Sequence, residues 1–409
     1  MNKQNIKWLA IQPLSGGMYL GTEEAIGHPA EAIISFKGLR NISEKNGQII
    51  SVGNEHYLQT YLTKHNRMPD YYEFNNGMFD KDISLENDLD VKFENIDLVV
   101  AVPVCSGLSM ATSTTNKDTR DSKNCNMKFI THFAITQIKP RIYVFENAPT
   151  FMSNSGEHIR KWMEELAKEN DYSITYFKTD TKLHENCQRR PRTFIVFSKT
   201  ESAPIFNFEN SNIEITEFFK NMEKSLFNND KLTTSHHNYP MLDFCKNLYG
   251  ENWRSKLTSS NLLTHIINEG KVDKFLEFAK SYDNYEKIEK YVNHVEYKLS
   301  IGKNYYSEDF TIPKDVMPPV QYRSMPNYLH PIEDRTCTIR EYLSLMGMPN
   351  DFEWYGNSNN ICKIGQNVPV KTAKYIVNEC LETLMNNRKY SNSKVLFIDN
   401  IKQKMKEVA

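Results

Sequence analysis

IDLVVAVPVC, residues 96–105, follows one acid, Asp97, with an apolar run that passes through Pro103 and stops at Cys105. So short and uniformly apolar a run predicts a strand buried on both faces, as in a parallel sheet covered by helices on each side. WLAIQPL (8–14), QIISVG (48–53), RIYVFEN (141–147) and RTFIVFS (192–198) read the same way. Between them lie helical patterns. In SGEHIRKWMEELAKEN (155–170), Ile159, Trp162, Met163 and Leu166 recur at helical spacing as one buried stripe, with Ser155 placed to cap its start. Residues 371–387 repeat the pattern through Ala373, Ile376, Val377, Cys380, Leu381 and Leu384. Strand and helix in alternation predict an α/β fold with a doubly wound, mostly parallel sheet. In such sheets chemistry gathers at the carboxyl ends of strands, which is where Cys105 and Glu146 fall.

The pattern breaks near residue 200. Residues 200–325 are rich in Asn, Lys, Tyr and Phe, and they read as a smaller inserted domain. It divides a larger unit into residues 1–199 and 326–409. The 409-residue chain is 25% charged and 39% hydrophobic, with a net charge of −1, so nucleic acid could be held only by a local basic patch. Seven cysteines, odd in number and without a CxxC spacing, predict free thiols in a reducing, cytoplasmic compartment. No metal site is expected, since His236 and His237 have only Cys245 near them in sequence. Neither a signal peptide nor a membrane span is read in the chain. Its Lys, Asn and Ile richness suits an AT-rich bacterial or phage genome.

Three places carry candidate chemistry, and each has an ordinary reading when taken alone. Cys105 could be a buried thiol. Glu146, at the end of the strand in Glu146-Asn147-Ala148, could be a capping or salt-bridged carboxylate. Gln188-Arg189-Arg190-Pro191-Arg192 could be a solvated basic turn, although alternation places Arg190 and Arg192 on one face.

Their order resembles the DNA cytosine-C5 methyltransferase family, over nearly the whole chain. Pro103-Val104-Cys105 with Ser109 resembles its nucleophile motif, Glu146-Asn147-Ala148 its Glu-Asn-Val motif, and Gln188, Arg190 and Arg192 its Gln-x-Arg-x-Arg motif. Leu329 to Arg335, Thr338 to Glu341 and Gly347-Met348-Pro349 resemble the segment closing the recognition domain. Gly365-Gln366-Asn367-Val368-Pro369 resembles the last motif, beside the first strand. The resemblance implies a Rossmann-like methyltransferase sheet with residues 200–325 as target-recognition domain. It implies S-adenosylmethionine as cofactor, double-stranded DNA as partner and a monomer. The chemistry follows from the base: C5 of cytosine accepts a methyl group only after a thiolate adds to C6, with an acid at N3 and cationic donors at O2. The base must also leave the duplex. Cys105 is then the nucleophile, Glu146 holds and protonates N3, Arg192 donates to O2, and Arg190 orders the loop or a phosphate. Asn147, Gln188 and Ser109 are expected at the substrate. Leu14, Ser15, Gly16, Gly17, Glu55, Asp82, Ile83, Pro103, Gln366, Asn367 and Val368 are expected around the cofactor. Gly16, Gly17 and Gly21 would let the backbone approach it closely.

Four departures from the family pattern stand out. Val104 replaces a proline, and the glycine-rich motif lacks its usual lead. An extra segment, about 28–47, precedes the expected second strand, which leaves Glu55 as the ribose-gripping acid. Gln366 replaces an asparagine. Three of the four lie on the cofactor side, so a carboxymethyl transfer from carboxy-S-adenosylmethionine is an alternative. An RNA cytosine-C5 methyltransferase, a nucleotide-level hydroxymethylase and a catalytically silent DNA-binding homologue are others.

Overall fold

The computed structural model describes residues 2–78, 89, 91–104, 125–207, 210–223, 227–228, 239–282, 285–302, 310–320, 328–355 and 362–408. Nine strands make one sheet: β1 (Trp8–Ile11), β2 (Ala32–Lys37), β3 (Asp70–Gly77), β4 (Leu98–Ala101), β5 (Ile142–Asn147), β6 (Ser173–Asp180), β7 (Pro191–Ser198), β8 (Val395–Asp399) and β9 (Lys404–Val408). Their spatial order is β9-β8-β6-β7-β5-β4-β1-β2-β3. From β3 through β5 all neighbours are parallel, and β7 runs antiparallel between β5 and β6. β8 is parallel to β6 and is closed by antiparallel β9.

Both faces are covered, which explains the unbroken apolar runs. Trp8, Ala10, Val100, Val144 and Phe194 face one core with α1 (Gly17–Ile26), α2 (His56–Lys64) and the late helix 370–384. Leu9, Ile11, Val99, Ala101, Tyr143, Phe145 and Ile195 face the other, with α3 (Cys125–Phe133) and α4 (Glu157–Glu169). In α4 the stripe of Ile159, Met163 and Leu166 is buried and Trp162 is partly so. The helix is capped by Gly156 without a side-chain bond; Ser155 lies in a preceding 3-10 turn, so the expected serine cap is corrected.

Two strand expectations also change. The second strand of the sheet is Ala32–Lys37, inside what reads in sequence as an extra segment. Residues Gln48–Val52 instead pair with Ile42–Lys45 in a largely exposed hairpin outside the sheet. β7 is antiparallel rather than parallel, and this places its first residues at the edge where β4 and β5 end.

Beyond β7, Ala203, Phe206, Ile215 and Phe219 still join the main core, and α5 (Ile215–Lys220) lies with them. A second core begins later. It gathers Met241, Trp253, Leu263, Phe275, Val292, Phe310 and Leu329 from α6 (Tyr239–Tyr249), α7 (Leu262–Asn268), α8 (Val272–Lys280), α9 (Tyr285–Ser300) and their connections. The chain returns through α10 (Ile339–Leu345) to α11 (Val370–Leu384), which packs along α1. Ala373, Ile376, Val377, Cys380, Leu381 and Leu384 are all buried there. Among the described residues, no helix is long and apolar enough to cross a membrane, and no cluster of His, Cys, Asp and Glu could hold a metal ion.

Candidate active site

Glu146 is paired in register with Phe194, so Arg192, two residues earlier on β7, shares its face and meets it diagonally. Arg192 Nε lies 2.6 Å from Glu146 Oε1, with both side chains largely buried. Arg192 Nη1 also donates to the Pro191 carbonyl (2.8 Å). Each partner is fixed by a strand, so little freedom remains to be lost in holding the pair. Asn147, fully buried, turns the chain out of β5. Its Oδ1 accepts the Ala148 N–H (2.8 Å), and its Nδ2 lies 3.1 Å from Met127 Sδ.

Cys105 and Ser109 lie outside the described residues, as do Asp82 and Ile83. The approach to Cys105 is described as far as Val104, with Pro103 buried. A buried relay of two amides clamps it. Gln12 Nε2 donates to the Val102 carbonyl (3.0 Å), and Asn126 Nδ2 donates to Gln12 Oε1 (2.9 Å). Asn126 Oδ1 in turn accepts the Val104 N–H (2.9 Å). Sequence reasoning missed both amides. The one signal was Gln12 itself, a polar residue within an apolar run.

The loop after β1 adopts positive φ at Gln12 (49°), Leu14 (51°) and Gly16 (99°). Its glycines are required by the protein's own packing. A Cβ on Gly16 would stand 2.6 Å from Leu58 Cδ1, one on Gly17 1.8 Å from the Val368 carbonyl oxygen, and one on Gly21 2.3 Å from that of Val370. Packing within the chain is thus a reason for these glycines that sequence reasoning did not supply. The Gly17 N–H donates to Asn367 Oδ1 (2.8 Å), which also accepts the Val368 N–H (3.1 Å). Ser15 is fully buried and its hydroxyl has no hydrogen-bond partner.

Glu55 lies beneath this loop. Its carboxyl accepts from Ser35 Oγ on β2 (2.6 Å), from Tyr71 OH on β3 (3.1 Å) and from the Leu14 N–H. Burial pushes it up to about 8 in spite of these donors and of nearby Arg40. Gln366 is exposed, and its Oε1 accepts from Asn54 Nδ2 (2.7 Å).

Two members of the Gln-x-Arg-x-Arg motif are internal braces. Gln188 is buried, its Oε1 accepting the Val320 N–H (2.8 Å) and its Nε2 donating to the Leu345 carbonyl (3.3 Å). Its amide is therefore engaged at both ends within the chain, away from the expected substrate contact. Arg190, 2% exposed, donates to the carbonyls of Val320 (2.6 Å), Gly365 (2.7 Å) and Asn367 (3.0 Å). Of its two expected tasks, burial removes the phosphate and leaves the ordering of a loop. Arg190 thus ties the strand that carries Arg192 to the segment that seats Gly17.

Comparison with known proteins accords with this geometry. A family model, C-5 cytosine-specific DNA methylase, matches residues 51–382, beginning after the loop of Leu14–Gly17. A Methanocaldococcus jannaschii protein provisionally assigned as a type II methyltransferase is 37% identical over 73 residues, spanning 18% of this chain and 23% of that protein. Two solved structures share the fold. One is a protein provisionally assigned as a DNA modification methyltransferase encoded within an E. coli prophage (TM-score 0.51, 16% identity, 93% of this chain and 100% of that one). The other is the Entamoeba histolytica methyltransferase EhMeth (TM-score 0.52, 12% identity, 93% and 98%).

Proposed function

Because the chain belongs to the C-5 cytosine-specific DNA methylase family, we propose that it methylates C5 of a cytosine extruded from double-stranded DNA. The observation that carries this reading is the Glu146–Arg192 pair, at the carboxyl edge beside the strand that leads to Cys105. N3 and O2 of cytosine are adjacent atoms, and one acid and one guanidinium already side by side suit that edge of the base. Cys105 Sγ adds as a thiolate to C6, Arg192 turns from Glu146 to donate to O2, and Glu146, protonated from solvent as the guanidinium leaves it, gives that proton to N3, so electron density reaches C5. After transfer, a water molecule takes the C5 proton, the Cys105–C6 bond breaks, N3 returns its proton to Glu146 and the thiolate is restored.

S-adenosylmethionine, when bound, supplies the electrophilic methyl group. The residues fit it: the Ser15 hydroxyl is buried without a partner, and Glu55 sets a buried carboxyl under the same loop. Leu14, Gly16, Asn367 and Val368 shape the surrounding backbone, and residues 200–325 act as the target-recognition domain, whose separate helical core begins at Met241.

The test is labelled methyl incorporation into duplex DNA and into transfer RNA, with mass spectrometry of the product base. Wild type is expected to give 5-methylcytosine in DNA. Cys105→Ser should abolish transfer while duplex binding persists, and Glu146→Gln should slow it by about 10²–10⁴-fold. Full activity in Cys105→Ser would overturn the mechanism, and incorporation into transfer RNA alone would overturn the substrate.

A further inference from the structure

The carboxyl edge continues past Arg192. One row of paired residues crosses the sheet through Asn147, Thr193, Lys178 and Asp399. Three interstrand steps of about 4.8 Å span roughly 15 Å. At the far end, residues 400–403 turn β8 into β9, an addition at the sheet's margin. The turn is fastened down. The Asn400 N–H donates to the Lys178 carbonyl (2.8 Å), Asn400 Nδ2 to Thr179 Oγ1 (3.3 Å), and the Lys402 N–H to Asp399 Oδ1 (3.1 Å). Between it and Arg189 lies a cleft of about 230 Å³, lined in part by Asp180, Lys182, Arg189, Asn400 and Gln403.

The acids here are occupied. Asp180 is buried, its Oδ1 accepting the Lys182 and Arg190 N–H groups, and burial shifts it upward, toward the neutral form. Asp399 is paired with Lys178 at 3.1 Å. Arg189, Lys402 and Lys404 are exposed and Lys182 is half-buried. The Arg189 side chain is 71% exposed and 4.0 Å from Asp180, and no ion pair among the described residues involves Lys182, Lys402 or Lys404. Lysines on an edge strand commonly guard it against pairing with another chain. That accounts for Lys406, but Lys182, Arg189 and Lys402 lie off the strand, and Lys404 stands at its first position, next to the 400–403 turn.

We infer that Lys182, Arg189, Lys402 and Lys404 form a rim that binds the phosphate backbone of the substrate duplex, about four base pairs to one side of the target cytosine. The distance follows from the roughly 15 Å row and the ~3.4 Å rise per base pair. The inference rests on the DNA reading above. Charge complementarity and continuity with the edge that holds Glu146 and Arg192 support it. Such contacts hold the duplex in place and carry no sequence information.

The test is the affinity for a 30-base-pair duplex, measured by fluorescence anisotropy across a salt series. For wild type and for Lys182→Arg/Lys402→Arg/Lys404→Arg the log–log slopes should coincide. In Lys182→Ala/Lys402→Ala/Lys404→Ala the slope should become shallower by about 0.9 per lysine removed. A 30-base-pair duplex with neutral methylphosphonates in place of the phosphates three to six base pairs from the cytosine should erase that difference. Equal slopes for wild type and the alanine variant, at an unchanged melting temperature, would overturn the rim and leave the DNA reading standing. A wild type that binds transfer RNA but not duplex DNA would overturn both.

Discussion

Arg192 and Glu146 are joined before any base arrives. Separating a largely buried ion pair is costly unless a new partner takes each charge. On the mechanism proposed above, O2 of the base would take the guanidinium and N3 would share a proton with Glu146, so entry of the base and reorganisation of the pair would be one event. Glu55 shows the other fate of a buried acid. Its ordinary value is near 4.5 and burial carries it to about 8, so the folded state holds a proton that the unfolded chain releases. Its stabilising contribution is present in full below about 4.5 and is lost as pH rises through about 8. His184 has the opposite sign. Enclosed by Thr179 and Thr372, it falls from 6.5 to about 3, so its contribution is present above 6.5 and lost as pH falls toward 3. The two slopes oppose each other between 4.5 and 6.5, and Glu55 acts alone from 6.5 to 8. Glu55→Gln, which mimics the protonated acid, should therefore flatten the fall in stability between pH 6.5 and 8. Denaturant unfolding of both proteins at a series of pH values checks this, and parallel curves would count against a protonated Glu55.

At the scale of elements, α1 and the segment before α11 fit together only because Gly17 lacks a side chain. Replacing a helical glycine by alanine ordinarily gains up to about 1 kcal/mol. Here the added Cβ would lie 1.8 Å from the Val368 oxygen. Gly17→Ala should instead destabilise by about 1–3 kcal/mol and weaken cofactor binding, as thermal melts and calorimetric titration would measure. The same packing bears on what could be read in advance. β1, β4, β5 and β7 are continuous apolar runs in the middle of the sheet, and they are legible for that reason. β2 is interrupted by Ser35 and follows His28-Pro29-Ala30-Glu31, so in sequence QIISVG is the more conspicuous strand candidate. β6 mixes Thr175, Lys178 and Thr179 with its apolar residues. The antiparallel course of β7 has no local signature, since strand direction is set by the connection and not by side-chain pattern. In the site, Glu146 and Arg192 stand at strand ends and could be found by motif. Gln12 and Asn126 meet across 114 residues of sequence, and no spacing rule links them.

For the whole molecule, Arg190 has the widest reach. It joins Val320, which leads out of the helical unit, to Gly365 and Asn367, which seat the loop after β1. Arg190→Met would keep the bulk of the side chain and leave three buried carbonyls without that donor. A loss of roughly 3 kcal/mol is expected. Unfolding should also divide, with the helical unit and the sheet melting at separate temperatures in scanning calorimetry. A single sharp transition close to that of wild type would argue against Arg190 as the tie.

The bond from the Gly17 N–H to Asn367 Oδ1 spans 350 residues. On a ribosome that makes roughly 5–20 residues per second, the first loop of the chain waits on the order of 20–70 s for the asparagine that completes it. During that interval β1 and α1 have no α11 to cover them, and their apolar surface stays open to other chains. Biogenesis of this enzyme is therefore expected to depend on holding chaperones more than on the intrinsic speed of any single element, with premature termination before residue 365 yielding an aggregating product.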